Sequence, residues 1–233
     1  MIAAVGAIGV AIVGAVAHGT YHRNSPVFGR ALGSLPLGSA DDRSVALTFD
    51  DGPNPEATPR ILDALAERGA IATFFLLGRH VERWPALARR VADEGHIVGN
   101  HGWHHRKLHT QGPASVRHDL ELGTDTIRAA TGVAPAVFRA PHGFRSPWVN
   151  AIAASLGQRT IGWSLGVWDT ALPGVEAIVD RAVRGTRPGS ILLLHDGDGY
   201  DALGDRSQTA AAVPRIVATL AAKGFHLVGV PTT

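Results

Sequence analysis

The chain has 233 residues, 45% of them hydrophobic and 18% charged, which suits one domain of barrel or α/β size with a real core. A formal charge of +2, with no basic run interleaved with aromatics, argues against a nucleic-acid partner. Cysteine is absent, so disulfides and thiolate metal sites are excluded and any metal must be held by His and carboxylate groups.

Residues Ile2 to Ala17 are apolar or glycine without a break, IAAVGAIGVAIVGAVA. The run is short of the roughly 20 residues of a spanning helix and longer than the roughly 7–15 of a signal-peptide core. Ala15-Val16-Ala17 has the small residues of a cleavage site. No Lys or Arg precedes the run, whereas Arg23, Arg30 and Arg43 follow it, an orientation the positive-inside bias disfavours for an exported domain. The reading is a signal or anchor segment over residues 1–20, contacting the membrane, with the rest outside the cytoplasmic membrane. A buried N-terminal helix is the competing reading. Residues 21–44 carry Gly, Ser and Pro without periodicity and read as a linker or wrapped lead-in. The domain proper is 45–233.

From Val45 onward, short apolar runs alternate with amphipathic stretches. Strand-like runs are Val45–Phe49, Thr73–Leu77, Ile97–Val98, Val137–Phe138, Thr160–Trp163, Ile191–Leu194 and His226–Val230. Helix-like stretches are Pro59–Arg68, Pro85–Glu94, Ala114–Ala130, Pro147–Leu156, Val175–Arg184 and Gln208–Lys223. Such alternation predicts parallel strands with crossover helices, and about seven strands in this length predict an α/β fold of the distorted (β/α) barrel type. No internal repeat is visible.

The polar motifs fall at strand ends. Asp50 and Asp51 follow the first strand, the cluster His101, His104, His105 and His109 follows the third, and Arg139 the fourth; Asp169 lies after the fifth and His195 ends ILLLH. Carboxyl ends of parallel barrel strands converge on one face, so these five motifs meet around one pocket. His101 and His105, four apart, can share a helical face or tight turn, and with one Asp carboxylate they make a His₂-carboxylate site that leaves positions open for water. A catalytic metal is implied, because a structural zinc wants four protein ligands.

TFDDGP at Thr48–Pro53, HGWHH at His101–His105, RAPHG at Arg139–Gly143 and LLLH at Leu192–His195 resemble the polysaccharide deacetylases with a NodB-type homology domain, the carbohydrate esterase family 4 group, over roughly Val45 to Val230. The resemblance implies a NodB-like fold and removal of acetyl groups from an N-acetylated polysaccharide or oligosaccharide, chitin-like or peptidoglycan. It implies a divalent metal, zinc first, with cobalt, nickel or manganese able to compete. Carried over to these positions, Asp50 resembles the catalytic base and Asp51, His101 and His105 the metal ligands. Arg139 resembles the arginine that pairs with the base, Asp169 the carboxylate that orients the acid, and His195 the general acid. Pro141, His142, Leu193 and Trp163 take substrate-binding positions, Leu193 lining the acetyl pocket. A monomer acting on an acetylated glycan is expected.

The chemistry agrees with those roles. Adjacent carboxylates repel, so cations must keep both ionised: the metal for Asp51, Arg139 for Asp50. The His142 backbone N–H can serve as an oxyanion donor, and His195 can protonate the leaving amine. Three positions depart from the family pattern. Gly102 stands where Ser or Thr is usual, which removes a loop-bracing hydroxyl. His142 stands where Tyr is common. Trp168 precedes Asp169, where the usual motif has Trp after the aspartate.

Other polar residues take plainer readings. His104 and His109 are read as solvent-facing or loop residues, Asp196 and Asp198 in HDGDGY as turn carboxylates, Asp41 and Asp42 as solvated charges and Trp84 as packing. Two alternatives remain open: hydrolysis of a small non-sugar amide on the same fold, and a non-catalytic carbohydrate-binding module. A binding module has no use for a base-acid pair, which argues against the second.

Overall fold

A computed structural model describes the backbone of residues 2–233 and side chains from Gly9 onward. Met1 and the side chains of residues 2–8, part of the expected signal or anchor segment, lie outside the described residues.

The first regular element of the domain, β1 (Ser44–Asp50), explains the architecture. Side chains alternate along a strand, so Val45, Leu47 and Phe49 point one way and Ala46, Thr48 and Asp50 the other. The first set enters the main core with Phe74, Leu76, Leu192 and Leu194, under helices that supply Ile61, Leu65, Ile178 and Val213. Ala46 enters a smaller inner core with Phe75, Val137, Ile161 and Ile191. Asp50 therefore stands at the top of the inward face, above Ala46 and Thr48.

The other strands are β2 (Thr73–Leu76), β3 (Ile97–Asn100), β4 (Val137–Phe138), β5 (Arg159–Thr160), β6 (Leu165–Gly166), β7 (Ile191–His195) and β8 (His226–Leu227). All pairings are parallel, in the order β5-β4-β3-β2-β1-β7-β6, with β8 beside the start of β1. The sheet curls into a half-barrel, in agreement with the distorted (β/α) barrel read from the sequence. The register aligns the carboxyl ends: Asp50 pairs with His195 and with Phe75, and Asn100 pairs with Phe138. His101 and Arg139 thus leave adjacent strands at one level.

Helices α2 (Ala57–Ala66), α3 (Gly78–Arg83), α4 (Pro85–Asp93), α5 (Pro113–Thr131), α6 (Val149–Ser155), α7 (Val175–Gly185) and α8 (Ser207–Ala222) connect them. Two elements escape the sequence reading. The helix Gly78–Arg83 opens on a glycine and is too short to show a period; Leu165–Gly166 pairs over two residues only. The fifth strand also ends earlier than expected. The Gly162 carbonyl accepts from Arg139 and the Trp163 carbonyl from Arg23 and Asn24, so both leave the ladder.

Within residues 21–44, the chain packs along the barrel wall. Leu32 bridges Ile161 and Ser34 bridges Ser190, which spans the gap between β5 and β7. Leu32 and Leu35 join the inner core. Buried Arg145 donates to the carbonyls of His22, Ser25 and Gly29, with no carboxylate beside it. Ahead of this lies the N-terminal helix α1 (Ile2–Tyr21), on which Val10, Ile12 and Val13 are exposed. Among the described residues, no helix is long and apolar enough to cross a membrane.

Candidate active site

Asp50 reaches the pocket by strand alternation, and Asp51 by strain. The next residue of an extended strand would point to the opposite face, but Asp51 has φ +73°, a left-handed conformation uncommon for a non-glycine residue. Both carboxylates thereby face the same cavity. His105 (φ +59°) and His142 (φ +60°) are held the same way, a clustering of strained residues typical of functional sites.

The pocket has a volume of about 310 Å³. Asp50, Asp51, His101, His105 and His195 line it, with Leu193 and Trp163 on one wall and Tyr200 at the rim. Asp50 Oδ1 accepts from Arg139 Nη1 at 2.7 Å; the same nitrogen donates to Thr48 Oγ1 at 2.7 Å, and Nη2 donates to the Gly162 carbonyl at 2.8 Å. The guanidinium also lies 4.2 Å above the Phe75 ring. Arg139 is thus fixed through both terminal nitrogens and one ring face, and presents one fully buried cation to Asp50.

His195 is organised from behind. Asp169, with no exposed surface, accepts from the His195 ring Nδ1 at 2.9 Å, the His195 backbone N–H at 2.8 Å and Thr209 Oγ1 at 2.9 Å. Burial alone would depress the imidazole, but Asp169 and the pocket carboxylates outweigh it and raise its pKa to about 9. His195 is therefore an imidazolium at neutral pH.

Three further side chains converge without satisfying one another. Asp51 Oδ1 lies 3.3 Å from His101 Nε2 and 3.2 Å from His105 Nε2, and although buried it has no hydrogen-bond partner. His101 donates Nδ1–H to the Arg139 carbonyl at 2.8 Å, which turns Nε2 toward Asp51. Burial lowers the His105 pKa to about 3, so that ring is neutral. Acceptors that face one another at this distance call for a cation between them. Among the described residues, Asp51, His101 and His105 form the only group of three or more His, Asp or Glu side chains whose ligand atoms all lie within 4.8 Å of one another. The donor set fits a divalent ion of the zinc type.

The remaining expected residues fall into place unevenly. His142 lines the pocket, but Pro141 is buried and only opens the tight turn that presents it. Trp168 is 75% exposed, on a left-handed backbone (φ +57°), and lines a smaller adjoining cavity with Trp163, Leu193 and His195. Of the two tryptophans, Trp163 alone also lines the main pocket. Asp196 is no surface turn residue: it is fully buried, Thr58 Oγ1 donates to it at 2.5 Å, and burial pushes its pKa up to about 7. Asp198 lines the pocket and pairs with Arg206 at 2.6 Å.

Residues the sequence reading missed form the surroundings. His80 lies with Nδ1 2.7 Å from the Asp51 carbonyl, Thr209 and Thr48 brace the two charge pairs, and Tyr200 reaches His142 Nε2 at 3.1 Å. Tyr200 follows HDGDG directly, so its place at the rim was within reach. Nothing local marks the others, because their contacts span 29 to 91 positions.

With the geometry in place, comparison with known proteins decides the family. The profile described as "Polysaccharide deacetylase" matches residues 38–161. A chitooligosaccharide deacetylase of Rhizobium leguminosarum bv. trifolii is 39% identical over 208 residues, which cover 86% of this chain and 97% of the relative. The chain belongs to the polysaccharide deacetylase family. A crystal structure of a peptidoglycan N-acetylglucosamine deacetylase superposes with a TM-score of 0.79 at 31% identity, over 87% of this chain and 91% of the other. A pseudoenzyme of the family from Bacillus anthracis also matches, with a TM-score of 0.75 at 29% identity, covering 83% of this chain and 66% of that one. Polysaccharide deacetylases thus share this fold with a protein named for lost activity, and catalysis has to be argued from the side chains.

Proposed function

We propose that this chain hydrolyses N-acetyl groups on a glycan, of chitin-oligosaccharide or peptidoglycan type, with Asp50 as base, His195 as acid and a divalent metal held by Asp51, His101 and His105. The observation that carries the reading is a carboxylate and an imidazole side by side at one register position, each held by its own buried partner. Asp50 and His195 sit side by side on β1 and β7, the first paired with buried Arg139 and the second with buried Asp169. One group is prepared to take a proton and its neighbour to give one. A fold that had kept only binding would have no reason to bury both pairs.

A divalent ion on the three donors would supply Lewis-acid polarisation of the amide carbonyl and lower the pKa of the attacking water toward about 7. The protein's own groups do the rest. Asp50 accepts the proton of the water, with Arg139 Nη1 holding its Oδ1 in place. His142, on its strained turn, would offer its backbone N–H to the oxygen that gains charge. His195, whose Nδ1 is bound to Asp169, gives up the Nε2 proton to the leaving amine, an acid-catalysis step typically worth about 10²–10⁴ in rate. Leu193 and Trp163 form the apolar wall suited to a methyl group.

Similarity to the two named deacetylases supports the substrate class, and the N-terminal apolar helix supports export or anchoring with catalysis outside the cytoplasmic membrane. Incubation with N-acetylglucosamine oligomers and with peptidoglycan, followed by mass spectrometry, should show losses of acetyl groups from one of them. Chelation should abolish the activity and added zinc restore it. Full turnover in metal-free protein would remove the metal from the account.

A further inference from the structure

The loop from His101 to His105 carries two of the three metal-facing groups, so whatever holds that loop sets their separation. It has no helix or strand of its own. What it has is a wall of glycines. A Cβ on Gly78 would meet the Trp103 ring at 2.3 Å, and one on Gly123 would meet the Asn100 Oδ1 at 2.7 Å and the Gly102 backbone at 3.0 Å. Helices α3 and α5 are thereby allowed against the loop backbone, and Gly78 N–H donates to the Gly102 carbonyl at 3.0 Å.

On α5, Asp119 stands four residues before Gly123 and shares its face. Asp119 is 1% exposed, a costly place for a carboxylate unless its oxygens are used. Both are used on this loop. Oδ2 accepts from the Trp103 backbone N–H at 3.1 Å and Oδ1 from His104 Nδ1 at 2.5 Å. The same Oδ2 lies only 2.5 Å from the point where a Cβ on residue 102 would be, and Gly102 has φ +77°. Asn100 Oδ1 takes the Gly102 N–H at 2.8 Å. Any side chain at 102 would therefore displace the carboxylate.

We propose that Asp119 is the positioning residue for His101 and His105, and that Gly102 is the vacancy that admits it, the two acting as one unit. The inference rests on the metal reading above. Asp119 is not bonded to either imidazole of the pair; it fixes two of the three residues between them, Trp103 and His104. Its removal should let the loop relax and spoil the spacing of the two ring nitrogens.

The test is zinc affinity of the full chain, measured by competition with a chromogenic chelator, with the visible spectrum of the cobalt-loaded protein as a second readout. Asp119→Ala should weaken zinc binding by up to about 10-fold, the lower end of what losing a direct outer partner of a ligand costs, and alter the cobalt bands. Asp119→Asn keeps an acceptor for Trp103 and should fall between wild type and Asp119→Ala, which also covers the case in which the alanine variant does not fold. Asp125→Ala, an exposed change on the same helix, should leave both readouts unchanged. Gly102→Ser should weaken zinc in the wild-type background and cost less once Asp119 is alanine, a non-additivity expected of groups in contact. Wild-type zinc affinity in both Asp119 variants, or strict additivity of the Gly102 and Asp119 changes, overturns the proposal. A wild-type chain that binds no zinc would instead overturn the metal reading, and this inference with it.

Discussion

Two regions of the barrel do the same job, closing a wall around the pocket, by different means. At the pole of β1 and β7 the wall is a continuous parallel ladder of five residue pairs, from Ala46 and Ile191 to Asp50 and His195. At the opposite seam, between β5 and β7, it is a stretch of irregular chain. Two isolated bridges at Leu32 and Ser34 hold it, with the side chains of Arg23, Asn24 and Arg145 reaching for carbonyls. Ladder bonds belong to the backbone and survive most substitutions. Seam bonds belong to particular side chains, so the seam should be the easier of the two to break.

The largest effect should come from removing the seam altogether. Deletion of residues 1–36 takes Leu32 and Leu35 from the inner core and leaves buried Arg145 without its acceptors, an uncompensated buried charge. No folded, active protein is expected, as judged by circular dichroism and turnover. A native spectrum from that truncation would show that the seam is ornamental.

At the pole, Asp169→Asn should keep the ladder and lose the charge that raises His195 to about 9. The alkaline limb of the rate profile should then move to lower pH. Stability follows the same linkage. A histidine pKa raised above its ordinary 6.5 stabilises the fold fully below that value, and the contribution is lost as pH rises through about 9. The stability gap between wild type and variant should be widest in mild acid and close in alkali; a gap that widens with pH contradicts the pairing.

A smaller loss is expected from Arg145→Met, which fills the space but frees three carbonyls of the seam. About 1–3 kcal/mol of stability should be lost in denaturant titration, with turnover of the folded fraction little changed. The smallest effect of all belongs to deletion of residues 1–17. These precede every seam contact, and a soluble domain with wild-type turnover is expected; an unfolded product would place the N-terminal helix in the core.

How much of this was legible beforehand depended on the kind of bond. Asp50, His101, Arg139 and His195 could be placed because each sits at the end of an apolar run, where strand pairing brings ends together whatever lies between. The half-barrel followed from the same alternation. The seam could not be read, since a segment with no period gives no sign that Leu32 faces Ile161. Nor could Asp119, sixteen positions beyond the Trp103 N–H it holds. The Gly102 departure, taken from sequence as a missing brace, is in the structure the space where a different brace enters. Trp168 takes a left-handed backbone beside buried Asp169, a conformation no pattern of residue types reveals.

The central claim, that Asp50 and Asp51 are neighbours with unlike tasks, is tested most directly by measuring metal content beside turnover in Asp50→Asn and Asp51→Asn. Asp50→Asn keeps all three metal-facing groups and should hold near-stoichiometric metal, while its rate falls by roughly 10²–10⁴ without rescue by added zinc. Asp51→Asn replaces an anionic donor with a neutral one and should lose metal and rate together, with part of the rate returning in excess zinc. If Asp50→Asn loses the metal and Asp51→Asn keeps it, the two roles are reversed and the account is wrong.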